Sequence, residues 1–235
     1  MKLRKSIALL SVMLGLGSVL ACFSPSVTLQ SGDRIIFLGD SITQMGDEPG
    51  GYVSLVRDTL AARHPGLDLE VIGAGISGNK VPDLQERLST DVLALRPSVV
   101  FIYIGINDVW HSTMAWGGTP KDRFEDGLTR IIERITATGA NAILCTPTVI
   151  GERHDGTNPL DDMLDEYANI SRRVARETGI PLLDLRKIFL KSLRADNLEN
   201  VDKGILTNDG VHLNAAGNRL VAGKVLHVFG ELGLD

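Results

Sequence analysis

Short, mainly apolar runs alternate along this chain with longer stretches whose apolar residues recur every three or four positions. Arg34 to Leu38 (RIIFL), Leu69 to Ile72, Val99 to Ile104 (VVFIYI), Ala142 to Cys145 and Leu182 to Leu185 are rich in β-branched residues and show no polar alternation, the pattern of strands buried on both faces. Tyr52 to Arg63, Asp83 to Leu95, Arg123 to Thr138 and Asp161 to Thr178 carry the helical period, and a last helix within Val211 to Leu232 begins near Asn214. Alternation at this spacing predicts right-handed crossovers and a five-stranded, mostly parallel sheet, hence a three-layer α/β/α sandwich. Without an internal repeat or a break in composition, one domain is expected over 34–235. In such sheets ligands bind beyond the carboxyl ends of the strands, so the residues after each strand are the ones to read for chemistry.

The front of the chain departs from this pattern. Lys2, Arg4 and Lys5 form a positive cluster, and residues 6–32 then carry no charge. The apolar part, Ile7 to Ala21, is 15 residues long, short of the ~20 needed to span a bilayer and typical of an export signal. It ends in Val19-Leu20-Ala21-Cys22, which resembles the lipobox of bacterial lipoproteins, where cleavage leaves an N-terminal cysteine that is diacylated; Leu20 stands where that pattern prefers a smaller residue. The alternatives are an ordinary signal peptide, with Cys22 incidental, and an uncleaved anchor. The expected organisation is a signal over 1–21, a tether over 22–33 and a catalytic domain over 34–235. Membrane contact would then run only through a lipid on Cys22, with the protein working outside the cytoplasm.

Composition sharpens this picture. The chain has 235 residues, 43% hydrophobic and 23% charged, with 9 prolines, which excludes disordered and collagen-like classes. A net charge of −5 argues against a nucleic-acid partner. The mean hydropathy of +0.09 is high for a soluble protein and owes much to the front segment. Loss of residues 1–21 removes three of the 24 basic residues and none of the 29 acids, which takes the charge to −8. Two cysteines cannot build a disulfide framework or a four-thiolate zinc site. Cys145 lies in an apolar strand and reads as a buried, inert thiol.

Four strand ends and loops hold candidate chemistry. The first strand runs into Gly39-Asp40-Ser41-Ile42-Thr43, a tight strand-to-helix turn. It would expose the Ser41 hydroxyl and place the Ser41 N–H where it can donate to a developing oxyanion, unless Ser41 or Thr43 merely caps the helix. The second strand is followed by Gly73-Ala74-Gly75-Ile76-Ser77-Gly78-Asn79-Lys80, whose glycines fit G-x-G-x-x-G in spacing. A dinucleotide site would need an acid at the end of the next strand, which instead reads Tyr103-Ile104-Gly105-Ile106-Asn107. The motif also follows the second strand rather than the first. A phosphate loop fails as well, with Lys80 one place late and Val81 where Ser or Thr is needed. These glycines are expected to let backbone N–H groups approach a small anion.

After the third strand, the Asn107 side chain presents an amide donor, or else forms an Asx-turn with Asp108. Near the C-terminus, Asn208-Asp209-Gly210-Val211-His212 places an acid three residues before a histidine. That spacing lets the carboxylate fix the imidazole tautomer and leaves Nε2 free as a base. Of the other histidines, His64 and His227 read as surface residues, His154 lies in a polar loop, and His111 sits beside Trp110. No G-x-S-x-G elbow occurs, and no H-E-x-x-H or comparable cluster suggests a metal.

In this order the motifs resemble the SGNH (GDSL) hydrolase family, whose blocks read Gly-Asp-Ser-x, Asn-x-x-x-x-Gly, Gly-x-Asn-Asp and Asp-x-x-His. The resemblance covers roughly residues 34–230. It implies a flavodoxin-like α/β fold, a serine esterase activity and no cofactor. Position by position it makes Ser41 the nucleophile, Asp209 and His212 its partners, and Ser41, Gly78 and Asn107 the oxyanion donors. Ile42 replaces the leucine of the name-giving motif, and Gly73 stands where the family usually has asparagine. Asp40, Asp108, Trp110 and Trp116 are candidate substrate contacts; the two tryptophans would form a sugar-stacking platform or simply cover the core. The expected substrate is a short-acyl (acetyl) ester on an extracytoplasmic carbohydrate. The alternatives are a lysophospholipase- or thioesterase-like lipid acyl hydrolase, or an inactive binding module on the same fold.

Overall fold

β-Branched and aromatic residues at 34–39 and 99–103 leave both faces of these strands apolar, and both faces are covered in the computed structural model, which describes residues 27–231 together with Gly233 and Leu234. The export signal expected over 1–21, and Cys22, lie outside the described residues. β1 (Arg34–Gly39), β2 (Glu70–Gly75), β3 (Val99–Tyr103), β4 (Asn141–Cys145) and β5 (Leu182–Leu183) form one parallel sheet in the order β2-β1-β3-β4-β5. Eight α-helices connect and follow them: α1 (Ser41–Gly46), α2 (Tyr52–Arg63), α3 (Val81–Asp91), α4 (Ile106–Trp110), α5 (Lys121–Thr136), α6 (Asp161–Thr178), α7 (Leu185–Asp196) and α8 (Ala215–Val228). α2 packs on α8, while α3, α5 and α6 pack in series. Phe37 and Phe101, register partners on β1 and β3, stack with centroids 4.9 Å apart; Tyr52 of α2 and Phe229 just after α8 meet them edge-on.

This is the expected α/β class with the expected strands. β1 and β3 are neighbours although β2 lies between them in sequence, so the chain reverses its direction across the sheet here. A crevice therefore opens at the carboxyl ends of β1 and β3, where a doubly wound sheet holds its ligands. The turns into α1 and α4 stand at its edges.

Three elements differ from the sequence reading. β5 stops after Leu183 because the Asp184 side chain accepts a hydrogen bond from the Lys187 amide at 3.1 Å, capping α7 and turning Leu185 into its first residue. Leu185, Phe189 and Leu193 then bury one face of a helix that the sequence reading had not assigned. α3 begins at Val81 and ends at Asp91; the rest of the predicted helix is a 3₁₀ turn, Leu93–Leu95, closed by Arg96 in the left-handed region (φ 51°). Residues 27–33, expected to be tether, are instead bound to the domain. Val27 N–H donates to Val228 O at 2.9 Å, Gly32 N–H donates to Leu67 O at 2.7 Å, and Val27 and Leu29 pack against the core. Among the described residues no helix is long and apolar enough to cross a membrane.

Candidate active site

The turn from β1 into α1 is fixed by Asp40, which is the helix N-cap: its Oδ1 accepts from Ile42 N–H at 2.9 Å. Neither Ser41 nor Thr43 is therefore the cap. Thr43 instead pairs its hydroxyl with Tyr52 at 2.8 Å. Ser41, the first residue of α1, is free to turn its hydroxyl outward, and its N–H belongs to the helix turn that lacks intrahelical partners. The turn lies hard against β2. A Cβ on Gly75 would sit 2.2 Å from Gln44 N, and one on Gly73 would sit 2.6 Å from Asp47 Cγ. Those two glycines make room for α1 and for the Asp47 side chain, not for an anion as expected from the sequence. Asp47 fills the space into which a side chain at position 73 would project, and Arg57 holds it through an ion pair while also donating to Val71 O.

The loop after β2 is pinned from three sides. Ile76 N–H donates to Gly39 O at 3.2 Å, Ser77 N–H to Gln44 Oε1 at 2.7 Å, and Asn107 Nδ2 to Asn79 O at 3.0 Å. Gly78, the third glycine, adopts φ +78°, a conformation an L side chain resists. Arg87 ties this loop to the strand ends, donating to Asn79 Oδ1 at 2.7 Å and to the carbonyls of Gly39 and Ala74 at 2.8 and 2.9 Å. Asn107 is the second residue of α4 and 2% exposed; its amide carries a second N–H beyond the one given to Asn79. No sequence pattern had singled out Arg87, which besides its i,i+4 ion pair with Asp91 reaches residues distant in sequence.

Asp209 and His212 lie on the loop before α8, and the Asp209–His212 spacing gives two kinds of contact. Asp209 Oδ1 accepts from the amides of Val211 and His212 at 3.0 and 2.8 Å, and Oδ2 stands 2.7 Å from His212 Nδ1. On the other side of the ring, His212 Nε2 is 2.9 Å from Ser41 Oγ. With Nδ1–H donating to the carboxylate, Nε2 accepts from the serine hydroxyl. Serine, histidine and aspartate therefore form one continuous chain of hydrogen bonds, the arrangement that lets an imidazole take a hydroxyl proton.

The loop owes its position to Glu152, a residue with no solvent exposure that the sequence reading missed. Its Oε1 accepts from Leu206 N, Thr207 N and Thr207 Oγ1 at 2.7, 2.5 and 2.7 Å, and its Oε2 accepts from Ile205 N at 2.7 Å. Thr207 Oγ1 in turn accepts from Gly210 N–H at 3.0 Å. Glu152 lies in a polar stretch with no motif; only its place beyond the end of β4 could have drawn notice.

Electrostatics separate the acids. Partial burial pushes the Asp209 carboxyl up, but its bonds to the His212 ring and to the amides of His212 and Val211 outweigh this and hold it below the usual carboxylate range. Asp40 and Asp108, expected at the substrate, are instead buried at 1% and 0% exposure. Asp108 Oδ1 accepts from Val81 N–H at 3.1 Å, anchoring the start of α3. Burial pushes Asp108 up to about 6, against the pull of Thr119 and the Val81 amide. Burial pushes Asp40 up to about 7; the Ile42 amide and His212 pull it down, and the charge of Asp108 adds to the rise. Cys145 is buried and its thiol is pushed well up by burial, as an inert core cysteine should be. Trp110 is half-buried against the core, with its ring edge-on to His212 at 6.3 Å, whereas Trp116 is 68% exposed and touches His111, so it does not serve as core cover. Among the described residues no group of three or more His, Cys, Asp or Glu is placed to hold a metal ion.

Because Asp40 keeps its proton in the fold up to about pH 7 but loses it near 4 when unfolded, stability contributed by the neutral acid is intact below about pH 4 and is lost as pH rises towards 7. Asp40→Asn keeps an acceptor for Ile42 and cannot ionise. Its Tm relative to the wild type is expected to rise steadily between pH 4 and pH 8 in thermal unfolding; a constant difference across that range contradicts the burial of Asp40.

Residues 37–220 match the model of the GDSL-like lipase/acylhydrolase family. An acetylxylan esterase of Geobacillus stearothermophilus is 32% identical over 216 residues, covering 85% of this chain and 95% of that protein. A crystal structure of an acetyl xylan esterase, AlAXEase, superposes with a TM-score of 0.81 at 44% identity, covering 83% of this chain and 98% of the other. An uncharacterised lipoprotein of Bacillus subtilis, YqeF, is 27% identical over 172 residues, 66% of this chain and 71% of that one. With a family match that spans most of the sequence, and a fold and strand-end blocks in agreement, the chain belongs to the GDSL-like (SGNH) hydrolases and is a carboxylic ester hydrolase.

Proposed function

We propose that this protein is a serine esterase that removes short acyl groups, acetyl above all, from carbohydrate esters outside the cytoplasm. The observation that carries the reading is the unbroken chain from Ser41 Oγ to His212 Nε2 (2.9 Å) and from His212 Nδ1 to Asp209 Oδ2 (2.7 Å). His212 takes the Ser41 proton as Ser41 Oγ bonds to the ester carbonyl carbon. The Asp209 carboxylate steadies the imidazolium that forms. The N–H groups of Ser41 and Gly78 and the Asn107 amide receive the oxyanion. Collapse of the tetrahedral intermediate expels the alcohol, which leaves with the proton from His212. Water, deprotonated by the same imidazole, then releases the carboxylic acid and restores Ser41.

The acetyl preference takes its support from the acetylxylan esterases to which the chain is similar. Export takes its support from the charged and apolar front segment and from the lipoprotein relative. In the same reading Cys22 carries the lipid. Expressed with its own leader in a bacterial host fed labelled palmitate, the protein is expected to take up the label and Cys22→Ser to take up none; an unlabelled wild type, or equal labelling of the two, excludes lipidation of Cys22.

Ser41→Ala is expected to abolish hydrolysis of p-nitrophenyl acetate. Asn107→Ala is expected to lower kcat on the order of 100- to 1000-fold while leaving a measurable esterase. Across p-nitrophenyl esters from acetyl to palmitoyl, kcat/KM is expected to be highest at acetyl. Full activity in Ser41→Ala would overturn the nucleophile, and a maximum at palmitoyl would overturn the acetyl preference.

A further inference from the structure

A cleft of about 270 Å³ opens beside the Asp209–His212 loop, and neither Gly78 nor Asn107 is among its lining residues. Its walls include Trp110, Arg153, Thr157, Asn158, Asp202 and Asp209. Trp110, part of the lining, also meets the His212 ring edge-on with centroids 6.3 Å apart, so one aromatic side chain borders both the cleft and the imidazole. The rest of the lining is held by hydrogen bonds. Gly151 N–H donates to Gly210 O, Glu152 N–H donates to Asp202 O, both at 2.9 Å, and Asn158 Nδ2 donates to Arg153 O at 2.6 Å. Glu152, buried behind this lining, fixes it to the loop that carries Asp209 and His212. By contrast, the Arg153 guanidinium and the Asp202 carboxylate have no side-chain partner among the described residues, and both are exposed.

His212 must hand its proton to the departing alcohol oxygen, so the alcohol half of the ester lies against the imidazole, while the acyl carbonyl faces Gly78 and Asn107. We infer that this cleft is the subsite for the alcohol half of the substrate and that it takes a sugar ring. An aromatic wall offers the apolar face of a pyranose a partner. The other lining residues, with a cation, a carboxylate and two short polar side chains, offer donors and acceptors for its hydroxyls. A lipid alcohol would leave Arg153 and Asp202 desolvated and unpaired, which costs free energy. This subsite rests on the esterase reading above and names the residues that would make it selective for carbohydrate. Its volume, near the lower bound of roughly 300–1,000 Å³ for small-molecule sites, suits one ring rather than a long chain.

The test compares kcat/KM on an acetylated xylo-oligosaccharide with kcat/KM on p-nitrophenyl acetate for the wild type, Arg153→Ala, Asp202→Ala and Trp110→Phe. The ratio of the two constants is expected to fall about tenfold in Arg153→Ala and Asp202→Ala, the size expected for one lost hydrogen bond to a charged group, mainly through KM on the glycan ester. A smaller fall is expected in Trp110→Phe, which keeps an aromatic face. Arg130→Ala, on the far groove between α3 and α5, controls for loss of surface charge and should leave the ratio within twofold of wild type. A ratio unchanged in both Arg153→Ala and Asp202→Ala overturns the subsite, as does a wild type that cleaves p-nitrophenyl acetate but not the glycan ester. Failure to cleave either ester, or cleavage that survives Ser41→Ala, would instead overturn the esterase mechanism, and the subsite with it.

Discussion

A hydrogen bond of 2.9 Å between Ser41 Oγ and His212 Nε2 joins residues 171 positions apart, and much of the fold can be read as what that contact requires. One partner stands on the first turn after β1, and the other on a loop with no regular structure of its own. A loop has many conformations, and ordering one residue of backbone costs about 1–2 kcal/mol. Glu152 offsets this cost by offering a buried carboxylate to three successive backbone amides and one hydroxyl at 2.5–2.7 Å. A charge without solvent access is tolerated only when hydrogen bonds satisfy its oxygens, and here the satisfying donors are the segment that must be held. The segment that solves the solvation problem of Glu152 thus leads directly into the loop that presents Asp209 and His212.

The serine side of the contact depends on close packing rather than on charge. Gly73 and Gly75 let β2 run against α1 with no Cβ between them, and Asp47 with Arg57 closes the gap at Gly73. Arg87 then ties the carboxyl ends of β1 and β2 to Asn79, the residue whose carbonyl receives the Asn107 amide. Ser41 and Asn107 are therefore braced through two arginines, Arg57 and Arg87, and two close-packed glycines, with Asp40 and Asp108 buried beneath as caps and anchors. Rigid elements place such groups more closely than free loops do.

Much of the site was legible because three of its four blocks follow strands, the fourth precedes the last helix, and strands with both faces buried are written plainly in Ile35–Leu38 and Val99–Ile102. Ser41, Asn107 and the Asp209–His212 pair could be named from short local patterns. What stayed hidden acts across long sequence distances through backbone atoms. Glu152 bonds to Ile205–Thr207, and the bonds by which Arg87 reaches the site go to the carbonyls of Gly39 and Ala74 and to Asn79, so neither tie leaves a periodic trace. The tight approach at Gly75 is equally silent, since a glycine looks the same whether it faces an anion or a helix. α7 was missed for another reason: the apolar run Leu182–Leu185 continued the strand pattern, and only the capping bond from Lys187 to Asp184 divides strand from helix.

Activation of Ser41 by His212 is the claim on which the rest stands, and a fluorophosphonate probe tests it most directly. Attack by a serine oxygen forms a phosphorus–oxygen bond and expels fluoride, at a rate set by how readily the hydroxyl proton is taken. Peptide mass mapping should find a single adduct per chain, on Ser41, absent in Ser41→Ala and formed far more slowly in His212→Gln. An adduct on another serine, such as Ser77, or equal labelling of the wild type and His212→Gln, would contradict the account.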